Sequence, residues 1–339
     1  MKILVTGGAG FIGCNLADYF LNKKSEVIVF DNLSRKGVEK NLEWLKSNHK
    51  KMIFVKGDIR DFDSLRAVNK NVDIIFHTAA QTAVTNSVKN PREDFEVNAL
   101  GTLNVLEAAR CSNSDPSVIF CSTNKVYGNN VNKITLVEKE TRYEFADSKY
   151  DNGIPEEFLT DANEHTPYGC SKYASDVYIR DYSAVYGLKT VTLRMSCIFG
   201  EHQHGCSDQG WLDYMLRCAV GRKPITVYGD GKQVRDILHI ADLVKAFELA
   251  VKNVAKIKGQ AFNIGGGPKN TISIIELMNL LKNDFGVNVK YSFGHWRPFD
   301  QLCYISDIRK AKKEFGWEPE VSKIAGIRKQ YEWIASGGV

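Results

Sequence analysis

A glycine-rich segment near the N-terminus constrains the fold more than any other feature of the chain. The apolar run at 2–5 predicts a buried strand, and Gly7, Gly10 and Gly13 follow it at the start of a helical pattern. In such a unit the first glycine permits a tight turn, the second lets backbone N–H groups approach a pyrophosphate, and the third allows close helix packing. The spacing therefore predicts a βαβ unit that binds a dinucleotide at a helix N-terminus.

The first half of the chain alternates apolar runs with amphipathic stretches, as consecutive βαβ units do. We predict strands at 2–6, 26–30, 51–55, 72–77, 117–122 and 189–195, and helices near 11–23, 38–47, 61–69, 91–110 and 171–187. The strands are nearly continuous in apolarity, which indicates that both faces of the sheet are covered. The predicted fold class is α/β, with a doubly wound parallel sheet of the Rossmann type.

The pattern changes after residue 195, where loops and shorter elements begin. A helix near 240–252 and a strand at 260–264 are predicted to return to the main sheet, and a helix at 273–285, a strand at 287–293 and terminal helices follow. We expect a dinucleotide-binding domain of residues 1–195, joined by 237–266, and a smaller C-terminal α/β substrate lobe of residues 196–236 and 267–339. The long polar stretch at 129–166 is predicted to be a functional surface loop.

Composition excludes several classes of function. The net charge of +5 in 339 residues is spread along the chain, so no nucleic-acid partner is expected. No apolar run approaches the roughly 20 residues that span a bilayer, and no secretory signal is recognisable, so we expect no membrane association and a cytoplasmic location. The eight cysteines contain no Cys-x-x-Cys pair and are expected to be free thiols. No metal site is expected, because His202, His204 and Cys206 lack a fourth ligand.

An acidic residue after the second predicted strand bears on the choice of cofactor. Asp31 lies 18 residues beyond Gly13, where a carboxylate can accept hydrogen bonds from an adenosine ribose. It would repel a 2′-phosphate, which favours NAD over NADP, although Arg35 weakens that preference; Asp31 could instead cap a turn. Further candidates for the adenine and pyrophosphate ends are Asp58, Ile59, Ala79, Ala80 and Gln81, each of which could also be plain loop structure.

A Tyr-x-x-x-Lys spacing supplies the candidate catalytic residues. Tyr168 and Lys172 share one face of a predicted helix, so the ammonium is expected near the phenol. A nearby ammonium and a cationic nicotinamide both favour the phenolate, whose ordinary pKa near 10 is too high for a base at neutral pH. The hydroxyls of Ser122 and Thr123, at the end of the fifth strand, are expected to orient a substrate hydroxyl.

Together these motifs resemble those of the extended short-chain dehydrogenases/reductases along nearly the whole chain. The matching segments are Thr6-Gly-Gly-Ala-Gly-Phe-Ile-Gly13, Asp31-Asn-Leu33, Gly57-Asp58, His77-Thr-Ala-Ala80, Asn98, Ser122-Thr-Asn-Lys-Val-Tyr-Gly128, Tyr168 to Lys172, and Gln233-Val-Arg-Asp-Ile-Leu-His239. The resemblance implies catalytic roles for Thr123, Tyr168 and Lys172. It also implies cofactor contacts from Phe11, Ile12, Asn32, Ser34, Arg35, Asn98, Ser122, Tyr168 and Lys172, and substrate contacts from Ser122, Thr123, Gln209, Arg235 and Arg297.

Within this family the chain more narrowly resembles the CDP-tyvelose epimerases. That likeness rests on Phe30-Asp-Asn-Leu-Ser-Arg-Lys-Gly37, Ser122-Thr-Asn-Lys-Val-Tyr-Gly128, Glu140-Thr-Arg-Tyr143 and Asp208-Gln-Gly-Trp211. It implies epimerisation at C2 of a CDP-linked sugar by transient oxidation, with NAD tightly bound and not consumed. By analogy the helices near 95–110 and 171–187 would form a homodimer or a larger homo-oligomer.

Other reactions of the same fold stay open at this stage. A 4,6-dehydratase is disfavoured, because such enzymes place Asp-Glu after the catalytic threonine, whereas this chain has Asn124-Lys125. A nucleotide-sugar 4-epimerase of the UDP-glucose type, a reductase that consumes its cofactor, and a non-catalytic NAD-binding partner protein are the remaining alternatives.

Overall fold

The computed structural model describes residues 1–297 and 299–338. In chain order the strands of this part are β1 (Lys2–Thr6), β2 (Glu26–Asp31), β3 (Ile53–Lys56), β4 (Ile74–His77), β5 (Ser117–Thr123), β6 (Leu136–Glu138), β7 (Tyr143–Phe145), β8 (Thr190–Met195), β9 (Cys197–Phe199), β10 (Ile225–Tyr228), β11 (Val234–His239), β12 (Gln260–Ile264), β13 (Thr271–Ser273), β14 (Tyr291–Gly294) and β15 (Cys303–Tyr304).

The α-helices are α1 (Phe11–Asn22), α2 (Val38–Asn48), α3 (Phe62–Val68), α4 (Val84–Lys89), α5 (Pro91–Phe95), α6 (Gly101–Arg110), α7 (Pro167–Tyr186), α8 (Trp211–Val220), α9 (Ile240–Lys252), α10 (Val254–Ile257), α11 (Ile274–Phe285), α12 (Arg309–Phe315) and α13 (Lys323–Ala335). A π-helical turn joins α5 to α6, and a 3₁₀ segment, Asn124–Lys133, follows β5 directly. No helix in the described part of the chain is both long and apolar enough to cross a membrane.

Seven parallel strands form the central sheet, in the order β12-β8-β5-β4-β1-β2-β3. The chain leaves β1 in one direction to β2 and β3, then crosses back to β4 and continues in the other direction. The carboxyl ends of β1 and β4 therefore flank a topological switch point, where ligands of such sheets bind. This confirms the predicted doubly wound parallel sheet, including the return of 260–264 as β12 beside β8.

Alternating side chains of the strands fill two apolar layers, one on each face of the sheet. Val5 and Phe76 pack with Phe247 of α9 on one face, whereas Leu4 and Phe120 pack on the other with α6 and α7 residues. Because both faces are covered, the strands read as the continuous apolar runs seen in the sequence. Because both faces are apolar, polar side chains can gather at the carboxyl edge of the sheet.

Residues after β8 build a second, smaller assembly around β11. That strand pairs with β9 and β15 in parallel and with β13 in antiparallel orientation, and β10 pairs separately with β14. The apolar faces of α8, α11 and α13 enclose a separate core there, with Leu216, Leu277 and Ile327 fully buried. These elements form a C-terminal lobe with a core of its own. The domain boundaries given above stay a prediction.

Two segments differ from the sequence-based expectation. The helix predicted over 91–110 is interrupted by the π-helical turn Glu96–Leu100, where the Asn98 side chain hydrogen-bonds to the backbone of Gln81 instead of pointing to solvent. The stretch 129–166 is only partly a loop, because β6 and β7 form a hairpin and Ile154 pairs with Ser306. Both differences are caused by contacts between residues far apart in sequence, which a local sequence pattern cannot predict.

Candidate active site

The glycine loop after β1 has the close packing that the motif predicts. Gly7 adopts φ +68°, and a Cβ there would lie 2.6 Å from the Ala79 Cα atom. At Gly13 a Cβ would lie 2.2 Å from the Gly7 carbonyl oxygen. Only glycine fits these positions, since any side chain would push α1 or the loop after β4 away. The free N–H groups of the first turn of α1 consequently open onto the switch point.

Asp31 ends β2 and holds the glycine loop from the side. Its carboxylate accepts hydrogen bonds from the backbone N–H groups of Ala9 at 3.0 Å and Leu33 at 2.8 Å. Burial raises the pKa of Asp31, and these two N–H groups oppose that shift. The turn-capping interpretation is therefore realised in the structure, and each carboxylate oxygen keeps a lone pair that a ribose hydroxyl could use.

A cavity of about 440 Å³ runs along the carboxyl ends of β1, β2 and β4. This volume lies within the range of sites for small molecules and cofactors. Fourteen of the predicted cofactor residues line it, namely Gly7, Gly10, Phe11, Ile12, Gly13, Asp31, Asn32, Ser34, Arg35, Asp58, Ile59, Ala79, Ala80 and Gln81. The cradle left by the glycines, the helix N-terminus and the carboxylate of Asp31 together fit a dinucleotide.

Arg35 closes one side of this cavity. Its guanidinium donates to the Thr82 hydroxyl at 3.0 Å and to the side-chain oxygen of Gln209. Gln209 itself lines the cavity, so the residue predicted to contact substrate lies at the cofactor end in this structure. Burial lowers the pKa of Arg35. These contacts hold Arg35 across the cavity wall, between the loop after β4 and the loop that precedes α8.

Asp58, predicted to lie near the adenine, forms a compact polar cluster at the cavity. Asn32 donates to its carboxylate at 2.9 Å, and Arg60 binds both carboxylate oxygens at 3.0 and 2.7 Å. The hydrogen bonds from Arg60 lower the pKa of Asp58 to about 2. The carboxylate is thus fixed and charged at the rim of the cavity.

Asn98 shapes the opposite rim through the π-helical turn. Its side-chain oxygen accepts from the Gln81 N–H at 2.9 Å, and its amide donates to Asp94 and to the Ser171 hydroxyl, each at 3.1 Å. Ser171 lies on α7 between Tyr168 and Lys172. Asn98 therefore ties the loop after β4 to the helix that carries the candidate catalytic residues, rather than lining the cavity itself.

Tyr168 lies in the first turn of α7 and faces the end of β5. Thr166 caps this helix by accepting the Gly169 N–H at 3.2 Å, and Pro167 occupies the first helical position. Burial raises the pKa of Tyr168 to about 12, and the nearby Thr123 hydroxyl partly opposes this. The Thr123 hydroxyl itself donates to the Asn124 side chain at 3.3 Å and accepts from the Lys125 N–H at 3.2 Å. Thr123 and Tyr168 therefore lie close together, and their catalytic roles stay a prediction.

Lys172 is buried one helical turn after Tyr168 and reaches the end of β5. Its ammonium donates to the Cys121 carbonyl at 2.6 Å and lies 4.1 Å from the centre of the Phe120 ring. Burial lowers the pKa of Lys172 to about 8. The pKa of Tyr168 is raised mainly by burial. A cation bound beside the phenol is therefore needed to favour the phenolate.

Ser122 points to the other side of β5 from Thr123. Its hydroxyl donates to Asp176 at 2.9 Å, and Asp176 also accepts from Arg194 at 2.9 and 3.0 Å and from Arg180. The buried ion pair between Asp176 and Arg194 joins α7 to β8. The expectation that the Ser122 hydroxyl orients a substrate is not supported by these contacts.

Arg235 and Arg297 belong to the C-terminal lobe. Arg235, on β11, is buried and donates to Asp300 at 2.7 Å and to the Val234 carbonyl at 2.8 Å. Arg297 stacks 4.0 Å from the centre of the Tyr228 ring and donates to the Ser207 carbonyl at 2.6 Å. Ser207 precedes Gln209 in the same loop, so this loop connects the cofactor cavity with Arg297.

Several lining residues escape the sequence analysis. Thr82 and Arg60 could have been found as the neighbours of Gln81 and Asp58, whereas no local signal marks Cys206, Glu93 or Val97, which also line the cavity. His202 stacks on Trp44 and His204 hydrogen-bonds to Asn41. Trp211 packs in the lobe core and Trp296 covers Gly229.

Comparison with known proteins agrees with this geometry. Residues 3–265 match the model of the NAD dependent epimerase/dehydratase family. The CDP-paratose 2-epimerase of Salmonella typhi is 44% identical over 99% of this chain and 100% of its own length.

Solved structures give the same result. The UDP-glucose 4-epimerase of Thermotoga maritima with UDP-glucose is 30% identical and superposes with a TM-score of 0.85 over 99% of both chains. The UDP-glucuronic acid 4-epimerase of Bacillus cereus in complex with UDP-glucuronic acid and NAD is 26% identical, with a TM-score of 0.83 over 99% of both chains. The resemblance indicated by the motifs is thereby confirmed: the chain belongs to the NAD dependent epimerase/dehydratase family, and its cofactor is NAD.

Proposed function

We propose that this protein converts CDP-paratose to CDP-tyvelose by epimerisation at C2. The observation that carries the proposal is the buried Tyr168 phenol near the Thr123 hydroxyl at the carboxyl end of β5, in a sheet whose carboxyl edge holds the dinucleotide cavity. The full-length likeness to a CDP-paratose 2-epimerase supports the choice of substrate. Asn124 and Lys125 after the threonine support epimerisation over loss of water, because neither is a carboxylic acid that could protonate a leaving hydroxyl.

In this mechanism the residues at the end of β5 and the start of α7 handle one proton. Tyr168 takes the proton of the C2 hydroxyl, which Thr123 orients, while C2 loses its hydride. The resulting 2-keto sugar turns its opposite face, the hydride returns, and Tyr168 gives the proton back to the oxygen. When bound, NAD accepts and returns the hydride, and its positive charge lowers the pKa of the buried phenol. The cofactor is regenerated in each turnover and is not consumed.

The predicted binding residues form two groups, one for the cofactor and one for the nucleotide sugar. We assign the glycine loop, Asp31 and the rest of the cavity lining to NAD, and Arg235 and Arg297 to the diphosphate of the nucleotide sugar. Guanidinium groups suit phosphate because their planar donors match its oxygens. Lys172 would orient the cofactor end nearest Tyr168. We further propose that the protein is located in the cytoplasm.

A 4-epimerase of the UDP-glucose type is the second candidate. The likeness to the Thermotoga maritima UDP-glucose 4-epimerase over the whole chain favours it. It would use the same Tyr168 and Thr123 on a different carbon. A reductase would consume its cofactor, and a non-catalytic NAD-binding partner would have no need of the paired Thr123 and Tyr168.

Proton NMR of a substrate panel tests the proposal. Purified protein is incubated without added NAD with CDP-paratose, and in parallel with UDP-glucose. We expect new anomeric and H2 signals from CDP-paratose that approach a fixed ratio, and no change in UDP-glucose. Conversion of UDP-glucose alone would favour the 4-epimerase, and no conversion by protein shown to contain NAD would reject both substrates.

We further propose that the protein is a homodimer or a larger homo-oligomer. The exposed faces of α5, α7 and the π-helical turn carry an unusual number of apolar side chains for a surface in water, namely Phe95, Leu100, Val177, Tyr178, Val185 and Tyr186. A second copy of the same helices would cover this patch symmetrically.

A further inference from the structure

Lys125 lies directly beside the candidate catalytic pair. Its backbone N–H donates to the Thr123 hydroxyl at 3.2 Å. Its carbonyl oxygen packs against the helix turn after Tyr168, where a Cβ on Gly169 would lie 3.1 Å away. The backbone of Lys125 is thus wedged between the two residues that we assign to proton transfer, and its position relative to them is fixed.

The segment that carries Lys125 is hydrogen-bonded to the loop that holds Arg235. Asn124 donates to the Gln301 side chain at 3.0 Å, and Asn132 donates to the Asp300 carbonyl and accepts from the Leu302 N–H, both at 3.0 Å. Asp300 in turn pairs with Arg235 at 2.7 Å. Two cations that are far apart in sequence are therefore brought to one junction, between the catalytic edge and the C-terminal lobe.

Donors without acceptors converge at this junction. In the part of the chain that the structure describes, the Lys125 ammonium has no hydrogen bond or ion pair, and the buried Gln301 amide nitrogen has no partner. Arg235 has five N–H donors, of which two are engaged with Asp300 and Val234. Burial, and then the charge of Arg235, lowers the pKa of Lys125 to about 8, with Asp300 opposing. A bound anion would relieve the repulsion between the two cations.

We propose that Lys125 and Arg235 together bind the sugar-linked phosphate of the nucleotide sugar, and that Lys125 thereby sets which ring carbon reaches Tyr168. This inference rests on the proposed function. The sugar-linked phosphate is attached to C1, and C2 is the neighbour of C1, whereas C4 lies across the ring. Because Lys125 is two residues from Thr123, a phosphate held there brings C2 to the phenol and leaves C4 beyond it.

Binding of nucleotides with and without the second phosphate tests the assignment. Calorimetry measures the affinity of the NAD-containing protein for CDP and for CMP, in the wild type and in Lys125→Met, Lys125→Arg and the control Lys133→Met, which removes an exposed lysine at the end of the same 3₁₀ segment. We expect Lys125→Met to weaken CDP binding by on the order of tenfold to a hundredfold, the loss of a hydrogen bond to a charged group, and to leave CMP binding unchanged. Lys125→Arg should recover most of the CDP affinity.

Two outcomes would overturn the inference and are distinguishable from failure of the proposed function. Equal CDP affinity in Lys125→Met and the wild type would show that Lys125 does not bind the second phosphate. An equal loss of affinity for CDP and CMP would show the same. Wild-type protein that binds neither CDP nor CMP, but binds UDP, would instead contradict the cytidine substrate. The Lys125→Met variant with UDP and UMP then tests the phosphate contact independently of the base, and an unchanged UDP affinity would overturn it.

Discussion

Burial keeps the Tyr168 phenol in its neutral form. The phenol is buried against Thr123, and burial raises its pKa to about 12. At neutral pH the residue is therefore protonated unless positive charge is placed beside it. The Lys172 ammonium is held by the Cys121 carbonyl at 2.6 Å, and no hydrogen bond joins it to the phenol in the described part of the chain. We infer that proton removal is coupled to the occupation of the nicotinamide end of the cavity.

The Tyr168→Phe substitution tests this role at the scale of one oxygen atom. Removing the hydroxyl should lower kcat by about 10²- to 10⁴-fold, the usual contribution of a positioned acid–base group. The aromatic ring keeps its packing, so NAD content and CDP affinity should stay as in the wild type. The rate is measured by NMR with CDP-paratose, and full retention of epimerisation would remove Tyr168 from the mechanism.

Asp31 and Arg35 illustrate how a single residue can serve both fold and ligand. Asp31 binds two backbone N–H groups and still offers free lone pairs toward the cavity. Arg35, the residue that weakened the preference for NAD in the sequence analysis, is occupied by Thr82 and Gln209. A 2′-phosphate would meet the Asp31 carboxylate, which repels it, and this agrees with NAD as the cofactor.

At the scale of elements, a buried carboxylate joins α1 to α9. Glu248 accepts from the Tyr19 hydroxyl at 2.8 Å, pairs with Lys252 at 2.9 Å and Lys245 at 3.3 Å, and also pairs with Lys23 at the end of α1. Burial opposes the charged form, but these partners prevail and hold the pKa of Glu248 well below its usual range. The cluster thus stabilises the packing of two helices on the same face of the sheet.

The Glu248→Gln substitution should lower the free energy of unfolding by about 1–2 kcal/mol at pH 7. Because the folded pKa lies below the unfolded value of about 4.3, the stabilisation is complete above pH 4.3 and is lost as the pH falls toward the folded pKa. The difference in urea midpoint between variant and wild type should therefore shrink at pH 3.5. Glu332→Gln, at an exposed position of α13, is the control, and a difference that grew at low pH would contradict the account.

The elements that the sequence predicts well are those with a local cause. The strands of the sheet follow from continuous apolar runs, and the turn at Gly7 follows from the glycine spacing, so the glycine-loop side of the cavity was predictable from the sequence. The junction of Lys125 with Arg235 and the contact of Arg35 with Gln209 were not. Those pairs are more than a hundred residues apart, and only the packing of the lobe on the sheet edge brings them together.

At the scale of the whole molecule, the apolar patch on α5 and α7 should form a subunit interface. Tyr178→Asp and Val185→Asp each place a charge in the patch and should shift the protein from dimer or tetramer to monomer, because an unpaired buried charge is costly. Ile324→Asp, at an exposed apolar position of α13, should leave the assembly unchanged. Analytical ultracentrifugation provides the measurement, and patch variants that sediment like the wild type would contradict the proposal.

In the proposed reaction, C2 loses a hydride and regains the same hydride. This return of the hydride is tested most directly with CDP-paratose carrying deuterium at C2, incubated with the enzyme in ordinary water without added NAD. We expect the CDP-tyvelose formed to keep the deuterium at C2, because the hydride never exchanges with solvent. Product that has lost the deuterium to solvent would contradict transient oxidation at C2 and would require a proton abstracted from carbon instead.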